Sequence, residues 1–272
     1  MSQSLQDRKT LIRSGQPIEV LQLTFYPITM AQYDEYLLCR EALSLRLAAL
    51  PVEYAFMDYL SALWAAEVDA VKARSVRTGM FEHALRLLYM SLRIDYDFTD
   101  VLQHHIKLRE TDGALAIEYL SITQNGNTVR ITPHVFSMQI RPLLAEMNGI
   151  ELPDESHNID LVESSEQLKR LKSSGIPLKV RTDDLIASVA YLTHTPIREI
   201  YGWTVRDFEL LRRAIDRDKH YMLYAQAEMS GMVKFNKGNP FPSWCYDVSD
   251  DSYGTMALSE LQSRMGQAEQ KT

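Results

Sequence analysis

Between Ile18 and Tyr26 the chain reads IEVLQLTFY, an alternation of apolar and polar positions that predicts a short strand, ended by Pro27. The spacing then lengthens to a helical period. Tyr33, Tyr36, Leu37, Cys39, Leu43, Leu47 and Leu50 fall on one stripe and predict a single helix over 30–50, with Thr29 as its N-cap. Pro51 breaks that helix and opens a second over 52–76, crowded with Tyr54, Phe56, Met57, Tyr59, Leu60, Leu63, Trp64 and Val68. A third follows over 80–94, with Thr78 as N-cap. Connections this short predict an antiparallel bundle.

The period then returns to two. LQHHIKLRE (102–110), LAIEYLSIT (115–123) and TVRIT (128–132) predict three strands joined at Asp112-Gly113 and at Gln124-Asn125-Gly126-Asn127. Asn-Gly is a strong hairpin signal, so the expectation is an antiparallel meander, extended by the strand at Ile18. Thr132-Pro133 opens a helical or irregular segment to Gly149, bent at Pro142. Residues 150–177 lose the pattern. They hold two prolines, two Ser-Ser pairs and scattered apolar residues, the composition of a linker, with one exposed helix at 161–171. The expected division is an N-terminal helical domain with a β-meander (1–149), a linker (150–177) and a smaller helical C-terminal domain (178–272).

In the C-terminal domain Thr182 is placed to cap a helix over 183–192, and Thr195-Pro196 to start a short one ending at Tyr201. The strongest helical signal begins at Trp203. Thr204 is a good N-cap, with Asp207 three residues on. Val205, Phe208, Leu211, Ile215, Met222, Ala225 and Met229 share one face, and Gly231 supplies the stop. That face is expected to pack, through Phe208, Leu211 and Ile215, on the 185–192 helix. Beyond Gly231 come a short extended stretch at 232–235, a turn at 237–240, the aromatic residues Phe241, Trp244 and Tyr246, and a terminal helix over 257–265. The fold class is α+β, mainly α.

Composition narrows the function classes. Hydrophobic content of 46% with 24% charged residues is that of a globular protein. A net charge of −7 argues against general binding to nucleic acid or anionic membranes, which needs a basic surface. Cys39 and Cys245 are the two cysteines; with no signal peptide read at the N-terminus, they are expected as thiols in a reducing cytoplasm. No apolar run approaches the ~20 residues of a membrane span.

Candidate chemistry is sparse. His104 and His105 are adjacent, so on a strand they point to opposite faces and do not share a metal ion. No P-loop, G-x-S-x-G or G-x-G-x-x-G is present. The expectation is no enzyme, no cofactor and no metal. Residues 183–215 can be drawn as helix, turn and helix with Arg206, Arg212 and Arg213 on the last segment and Arg217 just beyond it, a DNA-binding outline. Asp207, Glu209, Asp216 and Asp218 are interleaved with those arginines, which is the pattern of a solvated face. Protein interaction fits more of the features. Its candidate residues are Phe241, Trp244 and Tyr246, aromatic and next to prolines, with Trp203, Arg212 and Arg213; the competing reading has this tail folded back over its own domain.

Several stretches carry a resemblance: FYPITMAQYDEYLLCREALSLRLAALPVEYAFMDYLSAL, NGIELPDESHNIDLV, and DDLIASVAYLTHTPIREIYGWTVRDFELLRRAID through YAQAEMSGMVKFNKG. In these the chain resembles an uncharacterised family of proteins encoded by long-tailed bacteriophages and prophages. Members of that family look like tail assembly chaperones in size, helical content and two-part layout. The resemblance rests on packing and turn residues and includes no catalytic signature. It implies a non-enzymatic assembly factor in the cytoplasm of an infected or lysogenic bacterium. Residues 29–94 would pack on a tape measure helix or self-associate, and 203–247 would recruit tail tube subunits. The alternatives are a tail or baseplate component of the virion and a DNA-binding regulator.

Overall fold

The computed structural model describes residues 5–47, 50–54, 56–75, 79–111, 114–153, 181–231 and 244. The fold is α+β and mainly helical. Helix α1 (Leu5–Arg13) leads to a hairpin of β1 (Ile18–Val20) and β2 (Leu23–Phe25), paired antiparallel with Ile18 opposite Phe25. The single strand expected over 18–26 is therefore two: Ile18, Leu23 and Phe25 are all buried, but the buried positions change phase across the turn, so one alternation does not run through IEVLQLTFY. The hairpin turns at Leu21-Gln22, both with positive φ, which an alternating pattern does not reveal.

The helix expected over 30–50 is divided. A 3-10 turn (Met30–Gln32) leads into α2 (Tyr33–Cys39) and α3 (Glu41–Ser44), after which Leu45 is extended. The cause is tertiary. The Tyr59 hydroxyl donates to Ala42 O at 2.8 Å, with Leu45 O at 3.1 Å, and Arg141 Nε donates to Leu43 O at 2.9 Å. The Arg141 guanidinium lies 3.6 Å over the Tyr59 ring. Side chains from distant segments thus satisfy the carbonyls that a continuing helix would have used. The expected helix over 52–76 is also split, into a 3-10 turn (Val52–Tyr54) and α4 (Tyr59–Lys72), whose first N–H is taken by Ser137 Oγ. Helix α5 (Met80–Leu92) is the centre of the bundle, with α2, α3 and α4 packed against it. Phe81, Ala84, Leu85, Leu87, Leu88, Tyr89 and Leu92 are all buried.

A second correction falls on residues 102–105, expected as strand. Asp97 caps a short helix α6 (Phe98–Asp100), its Oδ1 accepting from Asp100 N at 2.9 Å, and the chain continues as a π-helical turn over Val101–His105. Strand pairing starts only at β3 (Ile106–Thr111), then β4 (Ala114–Gln124) and β5 (Asn127–Ile131), in the antiparallel order β3-β4-β5. The β4–β5 turn is Asn125-Gly126 with φ of 52° and 82°, the two left-handed residues that Asn-Gly predicts. The first hairpin does not extend this sheet; it forms a separate two-stranded one. Gln124 joins the two instead. Its Oε1 accepts from Thr24 N at 2.7 Å, and its Nε2 donates to Thr24 O at 2.9 Å and Leu92 O at 2.8 Å.

Helix α7 (Pro133–Val135), capped by Thr132, runs through a π-helical turn (Phe136–Ile140) into α8 (Arg141–Asn148). Pro142 has no N–H to give to the preceding turn, and the wider turn absorbs that loss without breaking the helix. Then come α9 (Thr182–Thr193), α10 (Ile197–Ile200) and α11 (Val205–Met229). Thr182 does not cap α9; Arg181 stands at the cap, and Thr182 Oγ1 donates to Asp34 Oδ1 at 2.8 Å.

The division into domains differs from the expected one. Thr29 and Thr204 form an antiparallel bridge, with Met30 N donating to Trp203 O at 2.9 Å, Ala31 N to Tyr201 O at 3.1 Å and Val205 N to Ile28 O at 2.9 Å. Ile200, Val205 and Phe208 are buried, and Phe208 meets Tyr33 edge to face at 5.7 Å. Residues 180–212 therefore form one compact unit with 1–155, and 156–179 with 213–272 form the other. The reason is burial: these apolar residues complete the core of the N-terminal segment. Phe208 thus packs on α2, and Leu211 keeps 39% exposure where contact with α9 was expected. The Thr78 cap, the Asp112-Gly113 turn and the elements expected at 161–171, 232–235, 237–240 and 257–265 lie outside the described residues.

Candidate functional site

Of the expected interaction residues, Trp203 and Arg212 lie in the first unit and Arg213 and Trp244 in the second. In the first unit the start of α11 is fixed from three directions. Thr204 Oγ1 accepts from Asp207 N at 3.0 Å, the N-cap bond the sequence predicts. The Tyr33 hydroxyl donates to Glu209 Oε1 at 2.6 Å. Arg212 grips the other oxygen of the same carboxylate, Nε at 3.0 Å and Nη2 at 2.9 Å. Burial, then the Glu209 carboxylate, pushes the Tyr33 phenol well above its usual range, so it stays a neutral donor. Arg212 is thus occupied in anchoring its own helix. Arg213 is exposed, and Trp203 is half-buried with its backbone in the bridge to residue 30.

In the second unit α11 carries on from Arg213 to Met229, and Gly231 (φ 68°) follows as the expected stop. Ala214, Arg217, Tyr221 and Tyr224 are half-buried. Arg217 Nε donates to the Trp244 carbonyl at 3.1 Å, which fixes the backbone of Trp244 beside the helix while its indole stays 62% exposed. The face predicted to be apolar is partly open: Met222 is 52% and Met229 88% exposed while Ile215 and Ala225 are half-buried, and Leu223 next to Met222 is 62% exposed. Leu223 was not on the predicted stripe. It stands beside Met222 and widens the open strip, a signal the sequence holds only as an adjacent apolar pair. Phe241 and Tyr246 lie outside the described residues.

Side chains that carry chemistry are engaged elsewhere. On the π-helical turn both adjacent histidines reach Asp100, contrary to the strand reading: His105 Nε2 is 3.6 Å and His104 Nε2 3.9 Å from its oxygens. His105 Nδ1 pairs with the buried Tyr89 hydroxyl at 3.0 Å. Burial raises that phenol well above its ordinary range, so the chain of contacts ends on a group that does not ionise near neutrality. Among the described residues no group of three or more His, Cys, Asp or Glu side chains is placed to hold a metal ion. Cys39 is buried, and desolvation pushes its thiol up to about 12.

The class these features define is a mainly helical α+β protein with one long helix that presents an open apolar strip. No family model, no curated protein and no solved structure matches the chain.

Proposed function

We propose that the chain is a bacteriophage tail assembly chaperone, or a closely related non-enzymatic assembly factor, that holds apolar segments of the tape measure or tail tube protein. The observation that carries this reading is the strip Met222, Leu223 and Met229 on α11. Methionine adapts its shape to irregular partners, and large apolar residues at this exposure suit a surface that is covered during assembly. The phage-like stretches in the sequence supply the identity of the partner. No helix among the described residues is long and apolar enough to cross a membrane, which suits work in the cytoplasm of the bacterial host.

The test is affinity capture of tagged protein during phage production. Tape measure or tube protein should co-purify, and Met222→Glu with Met229→Glu should abolish capture while the circular dichroism spectrum is retained. Stoichiometric presence of the chain in mature particles would replace this reading with a virion tail or baseplate component. Salt-sensitive binding to duplex DNA, lost on Arg213→Glu, would replace it with a DNA-binding regulator.

A further inference from the structure

Among the described residues there are two Asn-Gly dipeptides, Asn125-Gly126 at the tip of the β4–β5 hairpin and Asn148-Gly149 at the end of α8. We infer that Asn125-Gly126 is a site of spontaneous modification, at which Asn125 cyclises and becomes aspartate and isoaspartate, while the fold protects the identical pair at 148–149. The site lies in the first unit and does not rest on the α11 strip.

In this reaction the backbone nitrogen after an asparagine attacks the side-chain Cγ. A new C–N bond closes a succinimide ring, the Cγ–Nδ2 bond breaks, and the proton of the attacking N–H leaves with the amide as ammonia. Water then adds to either ring carbonyl. Opening on one side gives aspartate; opening on the other sends the main chain through the former side chain, as isoaspartate. No electrons are exchanged, and water is the sole co-reactant. Glycine hinders the attack least, because no Cβ stands beside its nitrogen.

The chemistry needs an exposed amide, an attacking N–H that is not already donating, and room to rotate. At 125–126 each condition is met. Both residues are exposed, and neither Gly126 N nor the Asn125 side chain has a hydrogen-bond partner among the described residues. No neighbouring atom lies within 4 Å of the place a Gly126 Cβ would take, so the tip stands clear of the fold. At 148–149 each condition fails. Asn148 is 1% exposed, its Oδ1 accepts from Ile28 N at 2.9 Å, its Nδ2 donates to Leu144 O at 2.8 Å, and Gly149 N donates to Ala145 O. Attack there would give up all three hydrogen bonds inside the core. Exposure alone does not select the site. Asn127 is also exposed, but it is paired with Gln124 in the ladder and is followed by Thr128, whose branched Cβ crowds the attacking nitrogen.

The neighbouring residue gives the modification a structural effect. Isoaspartate lengthens the main chain of a tight turn and places a carboxylate next to Gln124, whose amide serves Thr24 and Leu92. The link between the two sheets then loosens.

The experiment is incubation of the full chain in mildly alkaline buffer, sampled over time. Peptide mass spectrometry follows each asparagine, and a protein isoaspartate methyltransferase labels isoaspartate. In the native chain Asn125 should be lost as aspartate and isoaspartate appear, with Asn127 and Asn148 intact. In a parallel sample in urea Asn148 should react as well, since nothing then holds it. Gly126→Ala should suppress loss of Asn125 in the native chain and in urea alike, so a weakened hairpin does not decide the result. The aged protein should also unfold at a lower urea midpoint than fresh protein. Native Asn125 that stays intact while the chain in urea loses it would overturn the proposal. Equal loss of Asn125 and Asn148 in the native chain, or aspartate without isoaspartate, would do the same. An unchanged midpoint after full conversion would overturn the effect on Gln124.

Discussion

Gln124 and Asn148 act in the core as detached peptide groups. Gln124 completes hydrogen bonds for Thr24 and Leu92, and Asn148 Oδ1 accepts from Ile28 N at 2.9 Å while its Nδ2 donates to Leu144 O at 2.8 Å. Removing either leaves buried backbone groups without partners, which costs about 1–3 kcal/mol for each such group. Gln124→Ala should therefore lower stability by about 3 kcal/mol, read as a lower midpoint in urea with an unchanged slope. Cys39 gives a second prediction. In a Cys245→Ser background its thiol should resist alkylation in the native state and react freely in denaturant. Burial raises its pKa from 9.0 to about 12, so the native state holds the proton more tightly than the unfolded chain. That contribution is fully present below pH 9 and is lost as pH rises through about 12. Tyr54, raised from 10.0 to about 12 chiefly by its hydrogen bond to Asp69, adds to the same alkaline loss. The Asn125-Gly126 turn and the Thr204 cap were legible because each is decided within four residues. Gln124 and Asn148 were not, since their partners other than Leu144 lie 32 to 120 residues away in sequence.

At the level of elements, periodicity located most helices but not their ends. The 30–50 stripe was apolar at the right positions, and α3 still stops at Ser44 because Tyr59 and Arg141 bind the carbonyls there. The α11 face shows the converse limit. Its pattern ran from Val205 to Met229, but burial is complete only at Val205 and Phe208. Periodicity states which residues could be covered together; what covers them belongs to the rest of the fold. Phe208→Ala should accordingly cost about 3–5 kcal/mol, whereas Leu223→Ser should change stability by less than about 0.5 kcal/mol. Thermal melts of the two variants beside the parent protein would check the contrast. The candidate strip was thus legible as a pattern, and its openness was not.

For the whole molecule, the expected independence of the region before the linker gives way to a core shared by distant segments. Residues 1–153 expressed alone would lack Ile200, Val205 and Phe208 and deprive Ile28 O, Met30 N and Ala31 N of their partners at 201–205. Such a fragment should lose near-ultraviolet circular dichroism and bind a hydrophobic dye, while the full chain melts with native side-chain signals. A fragment with native near-ultraviolet spectra would show that the closing segment is dispensable.

The bridge between Thr29 and Thr204 also sets a schedule. The ribosome makes Thr204 about 175 residues after Thr29, an interval of roughly 10 to 35 s at common elongation rates. During that time Tyr33 and the edge at residues 28–31 wait uncovered, until the start of α11 closes on α2. Slowing translation ahead of codon 200 should lengthen this exposed period and lower the soluble yield, without any change in the sequence of the product.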